Sequence, residues 1–210
     1  MNGVADMYDL GVGQKKSQGV ATISKFELDK EEARKLNLGY VMSGQSMMWM
    51  SSGTYMRLHV DGVLMMSDSD MEKNTNSKFI KNAHGDVMIA GLGIGLILRN
   101  LEDKVKSGVV TSITVYEKHQ DVIDLVAPYF QHLPLTVKCA DILEYKPPKD
   151  EMYDTIYFDI WPSIKEKNLD DIKLLHNRWK FRKRAGGWMD SWVKKYLQNE
   201  KRKSYGSYWW

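Results

Sequence analysis

The feature that most constrains the fold of this chain is a continuous apolar run that ends in alternating glycines. Residues 86–90, DVMIA, predict a strand that is buried on both faces. The turn Gly91-Leu92-Gly93-Ile94-Gly95 follows at once, and residues 96–105 carry apolar side chains at helical spacing. A strand, a glycine turn and a helix in this order surround one space with bare backbone and helix N–H groups, which suits a nucleotide-like ligand.

Strands and helices alternate strictly after this turn. Further strands are predicted at 111–117, 135–141 and 153–160. A helix is predicted at 119–130, and two more helical patterns follow Pro162 at about 168–184 and 188–200. This alternation favours an α/β fold with a central, mostly parallel sheet and helices on both faces.

The domain organisation follows from where the alternation begins. Residues 1–18 have no periodicity and are predicted to be a flexible arm, and residues 19–84 an N-terminal extension that opens with a strand at 19–28. The Met-rich stretch 40–53 is predicted to be a loop, and its residues 41–53 together with the first helix are candidates for a lid. Residues 85–210 are the predicted ligand-binding domain, which ends in a basic helical C-terminus.

Two capping boxes and one hairpin signal organise the extension. The boxes are formed by Asp29 with Glu32 and by Ser69 with Glu72. The first predicted helix is stopped by Gly39 after about two turns. The sequence Val-Asp-Gly-Val around Asp61 and Gly62 predicts a tight β-hairpin.

An acidic residue lies at the end of each strand that follows the glycine turn. Glu117 is placed 22 residues after Gly95, where a carboxylate can accept hydrogen bonds from ribose hydroxyls. Asp141 could accept from an adenine amino group, and Asp159 lies beside the expected reacting centre. The nicotinamide dinucleotide fingerprint requires Gly or Ala where this chain has Leu96, so another adenosine-containing ligand is favoured.

Composition narrows the function classes. Cys139 is the single cysteine, which excludes an internal disulfide framework and a cysteine-rich zinc site, so we expect no metal and a reducing compartment, the cytoplasm. No apolar run approaches the roughly 18 residues of a membrane span, so we expect no membrane association. The net charge of +3 is small, but the chain is basic from Lys165 onward. Nucleic-acid binding there is one interpretation, and an amphipathic helix pair that packs its aromatic residues on the sheet is the favoured one.

Four segments of the chain resemble the class I S-adenosylmethionine (SAM)-dependent methyltransferases. They are DVMIAGLGIG, VYEKH, CADILEY and YDTIYFDIWP. The upstream segment RLHVDGVLMMSD is similar to the hairpin of polyamine aminopropyltransferases, so the resemblance is to the spermidine-synthase-like branch, over about residues 55–162. It implies a Rossmann-like class I methyltransferase fold with a small β-hairpin/α extension, a small-molecule acceptor and a homodimer. The short stretch after Asp159 resembles a reduced version of the fold, as in phage and bacterial homologues.

The resemblance also implies which residues form the site. SAM would be bound by the turn Gly91, Leu92, Gly93, Ile94 and Gly95, by Glu117 with Lys118 at the ribose, and by Asp141 with Ile142 at the adenine. Asp159 would face both cofactor and acceptor, and would take a proton from the attacking nucleophile. Trp161, Asp61 and Asn76 are expected to contact the acceptor.

Two departures from the aminopropyltransferases favour methyl transfer. Their turn carries an acid that favours the free amine of decarboxylated SAM, and Ile94 stands in its place here. An acid would repel the carboxylate of intact SAM, so its absence favours SAM itself. The glutamine after their hairpin turn is also missing, with Met65 near its place.

The predicted function is therefore SAM-dependent methyl transfer to a small amine or similar nucleophile. Aminopropyl transfer from decarboxylated SAM to a polyamine is the alternative. SAM breakdown without an acceptor and nucleic-acid binding on a transferase fold are further alternatives.

Overall fold

The structure, a computed structural model, describes residues 3–42, 49–163, 165–192, 194 and 197–198. In this part of the chain the strands form an antiparallel sheet of four strands and a parallel sheet of five. One cluster of buried apolar side chains extends from Val4 to Leu197 and includes residues of both sheets. The two sheets therefore share a continuous core. None of the described helices is long and apolar enough to cross a bilayer.

The N-terminal sheet has the order β1-β2-β3-β4, with antiparallel neighbours throughout. Its strands are β1 (Lys15–Gln18), β2 (Ala21–Leu28), β3 (Gly53–Val60) and β4 (Val63–Ser67). Helix α1 (Lys30–Met42) connects β2 to β3, and helix α2 (Asp70–Asn82) follows β4. Asp61 and Gly62 have φ angles of 50° and 74°, as a two-residue hairpin turn between twisted strands requires. The predicted hairpin is confirmed.

The two capping signals differ in how completely they form. Asp29 Oδ1 accepts the N–H of Glu32 at 2.8 Å, and Glu32 Oε2 accepts the N–H of Asp29 at 3.0 Å, so the first box is complete. Ser69 Oγ accepts the N–H of Glu72 at 3.4 Å, but the Glu72 carboxylate makes no return bond. The Glu72 side chain instead lies in the interior, with 7% of the residue exposed.

The central sheet has the order β7-β6-β5-β8-β9, and all neighbouring strands are parallel. The strands are β5 (Gly85–Ala90), β6 (Val110–Glu117), β7 (Leu135–Cys139), β8 (Tyr153–Phe158) and β9 (Lys183–Ser191). The helices that flank it are α3 (Leu96–Lys106), α4 (Gln120–Val126), which continues as a 3₁₀ turn (Ala127–Phe130), and α5 (Asn168–Trp179). This confirms the predicted α/β fold with a parallel sheet. The strand order reverses at β5, and the crevice at such a point is where open α/β sheets bind ligands.

The second predicted C-terminal helix, at about 188–200, is wrong at its start, where residues 188–191 belong to a strand, whereas the described residues 194 and 197–198 are helical. Residues 183–191 form β9 and pair with β8, with Trp188 opposite Thr155. The helical spacing of Trp188 and Trp192 suggested a helix, but β8 offers an open edge that β9 fills, and Gly186 with its φ of 77° shapes the approach. Helix α5 accordingly ends at Trp179 rather than near 184.

The N-terminal predictions also need correction. The arm 1–18 is not loose where it is described, because Val4 and Tyr8 are buried and Lys15–Gln18 form β1. Helix α1 continues past Gly39 to Met42, because Gly39 does not take the positive φ that a glycine helix stop needs. Of the predicted loop 40–53, the first residues belong to α1 and positions 43–48 lie outside the described residues.

Candidate functional site

A cleft of about 260 Å³ opens at the carboxyl ends of the parallel strands, where the strand order reverses. Its walls come from the glycine turn after β5, from the ends of β6, β7 and β8, and from the β3–β4 hairpin with the first turn of α2. The residues from the sheet include Gly91, Leu92, Gly93, Glu117, Lys118, His119, Asp141, Ile142, Leu143, Asp159, Ile160 and Trp161. Those from the hairpin and α2 are Leu58, Val60, Met65, Met66 and Glu72. The three strand-end acids therefore meet in one cleft.

The glycines of the turn are required by both backbone angle and space. Gly91 and Gly93 have φ angles of 97° and 53°, in the left-handed region that side chains disfavour. A Cβ at Gly91 would collide with the backbone carbonyl of Asp159, and a Cβ at Gly93 would collide with the sulfur of Met66. Met66 reaches over the turn from the hairpin, and its Sδ accepts the N–H of Ile94 at 3.3 Å. Bare backbone at Gly91 and Gly93 thus lets β8 and the hairpin approach closely.

The second half of the turn serves the core rather than the cleft. Ile94 is fully buried, and its carbonyl accepts a hydrogen bond from the Tyr8 hydroxyl at 2.7 Å. A Cβ at Gly95 would collide with the ring of Phe130. Of the five turn residues predicted to bind the cofactor, Gly91, Leu92 and Gly93 line the cleft, and Ile94 and Gly95 do not.

Glu117 connects the end of β6 to the glycine turn. Its Oε2 accepts the N–H of Leu92 at 3.0 Å, and its Oε1 accepts the N–H of His119 at 2.9 Å. A carboxylate offers about four acceptor positions, so two remain for a ligand that enters the cleft. Glu117 is held in one orientation by backbone and can receive two hydroxyl donors, as the ribose prediction requires.

Asp141 and Lys118 form an ion pair at the rim, with 2.8 Å between Lys118 Nζ and Asp141 Oδ2. Asp141 Oδ1 accepts the N–H of Leu143 at 2.9 Å. Burial alone would raise the pKa of Asp141, but the hydrogen bonds from Lys118 and Leu143 outweigh it and hold that pKa below its usual value. Asp141 is therefore an ionised acceptor, and Ile142 beside it supplies an apolar cleft wall.

Arg178 fixes the segment that follows Asp141. Its Nη1 atom, on α5, donates to the carbonyls of Ile142, Leu143 and Tyr145 at 3.1, 2.6 and 3.1 Å. Three carbonyls held by one guanidinium nitrogen define the shape of the cleft beside Asp141. Sequence reasoning placed this arginine only in the basic C-terminal region and missed its position behind the cleft.

Asp159 and Glu72 place two carboxylates on the same side of the cleft. Burial raises the pKa of Asp159 to about 7, although a contact with the Asn76 amide partly offsets the shift. Burial and then the charge of Asp159 raise the pKa of Glu72 well above its usual value. Sequence reasoning predicted Asp159 as a site residue but assigned Glu72 to a capping box. The signal that could have identified Glu72 is its helical spacing from Asn76 and Phe79 on the buried face of α2.

The three residues predicted to contact an acceptor lie in different places. Trp161 lines the cleft, and its indole N–H donates to Asp171 Oδ2 at 3.1 Å, which fixes the ring. Asn76 is fully buried beside Asp159 and accepts a hydrogen bond from the Tyr157 hydroxyl at 2.7 Å, so it supports the cleft from behind. Asp61 lies exposed at the hairpin tip and does not line the cleft.

Much of the basic C-terminal region is engaged within the molecule. Arg184 pairs with Asp86 and Asp154, each at 2.7 Å, and Arg178 holds the three carbonyls described above. Trp179 and Trp192 are buried in the core. Aromatic packing on the sheet, the favoured interpretation, therefore holds for these residues, although the second predicted helix begins as a strand. Among the described residues, no group of three His, Cys, Asp or Glu side chains is placed to hold a metal ion.

Comparisons with known proteins give likeness in fold only. No family model and no curated protein sequence matches the chain. Solved structures that match include a SAM-dependent methyltransferase from Clostridium acetobutylicum, at 17% identity over 56% of this chain and 46% of that one, with a TM-score of 0.39. The N-methyltransferase NodS from Bradyrhizobium japonicum matches at 13% identity over 57% of this chain and 65% of that one, with a TM-score of 0.43.

The same comparison also matches a protein assigned to the zinc-dependent alcohol dehydrogenases, from Rhodobacter sphaeroides. Its identity is 19% over 50% of this chain and 39% of that one, with a TM-score of 0.35. The matched region covers between 39% and 65% of the length of these proteins. Because methyltransferases and a dehydrogenase match the chain at similar identities and TM-scores, these matches do not indicate its activity.

Proposed function

We propose that this chain is a SAM-dependent methyltransferase that acts on a small amine or a similar nucleophile. The supporting observation is the convergence of a glycine-rich turn and three strand-end acids on one cleft, at the reversal of the strand order. In this proposal the backbone at Gly91 and Gly93 cradles the methionine part of SAM. Glu117 receives the ribose hydroxyls, and Asp141 with Ile142 binds the adenine.

The residues present fit an adenosyl sulfonium compound in two respects. Gly91, Leu92 and Gly93 of the turn line the cleft, and Glu117 retains unused acceptor positions after its two backbone bonds. SAM would supply a methyl group on positively charged sulfur: the acceptor's lone pair forms the new bond to carbon, and the electrons of the broken C–S bond stay on sulfur. The protein's part is to align the reactants and exclude water.

Asp159 is the proposed acceptor of the proton that the attacking amine gives up. With a pKa raised by burial to about 7, its carboxylate is a stronger base than an exposed aspartate and is still ionised at neutral pH or above. Trp161 would form the apolar wall of the acceptor position. Ile94 points into the core, so this position adds no negative charge to the turn, which favours intact SAM over decarboxylated SAM.

The test is calorimetric titration with SAM and with S-adenosylhomocysteine, followed by incubation with small amines and detection of methylated products by mass spectrometry. Decarboxylated SAM with putrescine tests the aminopropyl alternative through the formation of spermidine. SAM in buffer alone tests breakdown through the formation of methylthioadenosine. If no adenosyl sulfonium compound binds, the proposed function is wrong.

A further inference from the structure

Glu72 is a buried carboxylate that no described residue neutralises. It lies in the first turn of α2 with 7% of the residue exposed, and its side chain lines the cleft. Within the described parts of the chain, its carboxylate has neither a hydrogen bond nor an ion pair, and the capping bond that the sequence predicts for it is not made. A buried charge without a partner is costly, so this position calls for a ligand that supplies one.

Among the described residues, those that interact with Glu72 add negative charge and polar groups, and two lysines of this region already have partners. Asp159 lies close enough to Glu72 to raise its pKa, and Tyr157 interacts with both carboxylates. Lys78 is bonded to Asp190 at 2.6 Å, and Lys118 is paired with Asp141. The buried amide of Asn76 faces Asp159 and lowers the pKa of that carboxyl group. Two carboxylates with no described cation beside them therefore share one position.

We infer that Glu72 and Asp159 together form a binding site for the ammonium group of a small aliphatic amine. An ammonium nitrogen brings the missing positive charge and donors for both carboxylates. The hairpin adds the apolar side chains of Leu58, Val60 and Met65 to the same cleft, which suits a short alkyl chain. Glu72 is thus a specificity-determining residue that selects cationic acceptors, and it keeps its charge while Asp159 takes the proton. The inference relies on the proposed function only in assigning the cleft to an acceptor.

Proton balance gives this site a measurable signature. Burial and mutual repulsion favour one retained proton on the carboxylate pair at neutral pH. The arriving ammonium cation stabilises both ionised forms, so that proton is released to solvent on binding. Among the described residues, Tyr157 interacts with both carboxylates, and it carries no positive charge that could hide this release.

The experiment compares n-butylamine with n-butanol, which has nearly the same shape but no charge, on the full chain at pH 7 with and without S-adenosylhomocysteine. We expect the amine to bind at least tenfold more tightly than the alcohol. Calorimetry in two buffers of different ionisation enthalpy should show that protons are released when the amine binds and not when the alcohol binds. Equal affinity for amine and alcohol would overturn the inference.

Variants separate the carboxylate from general effects on folding. Glu72→Gln should reduce amine affinity at least tenfold and leave S-adenosylhomocysteine affinity unchanged, and Glu72→Asp should keep the preference for the amine. Glu31→Gln, an exposed glutamate on α1, should bind both probes as the unmodified chain does. Unchanged amine binding in Glu72→Gln would remove Glu72 from the site. If the nucleoside binds but the amine preference is absent, the inference fails alone; if the preference holds without nucleoside binding, the proposed function fails alone.

Discussion

The backbone N–H of Leu92 is bonded to Glu117 Oε2 at 3.0 Å, so the glycine turn and the end of β6 are held as one unit. Replacing Glu117 by alanine would remove the predicted ribose acceptor and this tie together. Hydrogen bonds to a charged group contribute about 1.5–3 kcal/mol, so we expect the affinity for SAM to fall by about 10- to 100-fold. Calorimetric titration with SAM measures this affinity. Glu31→Ala is the control, and an unchanged affinity in Glu117→Ala would contradict the ribose assignment.

A matched pair of glycines tests how tightly the turn is packed. Gly91 and Gly108 both have positive φ angles, 97° and 72°, but a Cβ at Gly91 would strike the Asp159 carbonyl, whereas a Cβ at Gly108 has no atom within 4 Å. Gly108→Ala should cost about 1–2 kcal/mol from backbone strain alone. Gly91→Ala should lower the free energy of unfolding further and also weaken SAM binding. Equal losses of stability in urea denaturation would show that Asp159 does not constrain the turn.

The parts of the fold that could be predicted from sequence are those set by local chemistry. The Asp61-Gly62 turn demands two positive φ angles, and the apolar run before Gly91 needs burial on both faces. Because parallel strands present their carboxyl ends at one edge, Glu117, Asp141 and Asp159 could be placed together without coordinates.

The remaining features depend on contacts between distant segments. Strand β9 forms because β8 has an open edge, a condition invisible in the local spacing of Trp188 and Trp192. Tyr8 is ordered by the Ile94 carbonyl, 86 positions away. Glu72 satisfied a capping pattern in sequence, but its side chain lies in the cleft, and only the packing of α2 against β8 shows this.

Arg178 is expected to support adenine binding without touching the ligand. Lysine at this position has one nitrogen on a flexible chain in place of the planar guanidinium, and should hold the carbonyls of Ile142, Leu143 and Tyr145 less well. We therefore expect Arg178→Lys to weaken SAM binding several-fold. The thermal midpoint should also fall. Lys173→Ala, an exposed lysine on the same helix, is the control. A lowered thermal midpoint with unaltered SAM affinity would show that the Arg178 contacts stabilise the fold but do not support ligand binding in the cleft.

Asp159→Asn should abolish proton acceptance while preserving shape. SAM affinity should stay within a few-fold, and turnover should fall by about 100-fold or more, the usual contribution of a positioned base. In the unmodified chain, turnover should rise as pH increases through about 7, because Asp159 must be ionised to accept a proton. Initial rates from pH 5.5 to 8.5 measure the profile. Unchanged turnover in the asparagine variant would exclude Asp159 from the reaction.

The same two carboxylates should make the protein less stable at high pH. The pKa of Asp159 is raised from 3.8 to about 7 on folding, so between these values the folded chain binds more protons than the unfolded chain, and the free energy of unfolding decreases as pH rises. Glu72, whose pKa is also raised, acts in the same direction.

Glu72→Gln and Asp159→Asn should therefore increase stability. Each pKa unit corresponds to about 1.4 kcal/mol, so the gain in Asp159→Asn should be at least about 1 kcal/mol at pH 8, or roughly 2–4 °C in the thermal midpoint for a chain of this size, and Glu72→Gln should shift stability in the same direction. The gain should be smaller at pH 5, where the folded protein keeps these protons. Asp103→Asn, an exposed aspartate on α3, should change stability by less than about 0.5 kcal/mol at both pH values. Urea denaturation at the two pH values measures the gain in stability of each variant over the unmodified chain. If the cleft already neutralises these carboxylates, the gain will be no larger at pH 8 than at pH 5.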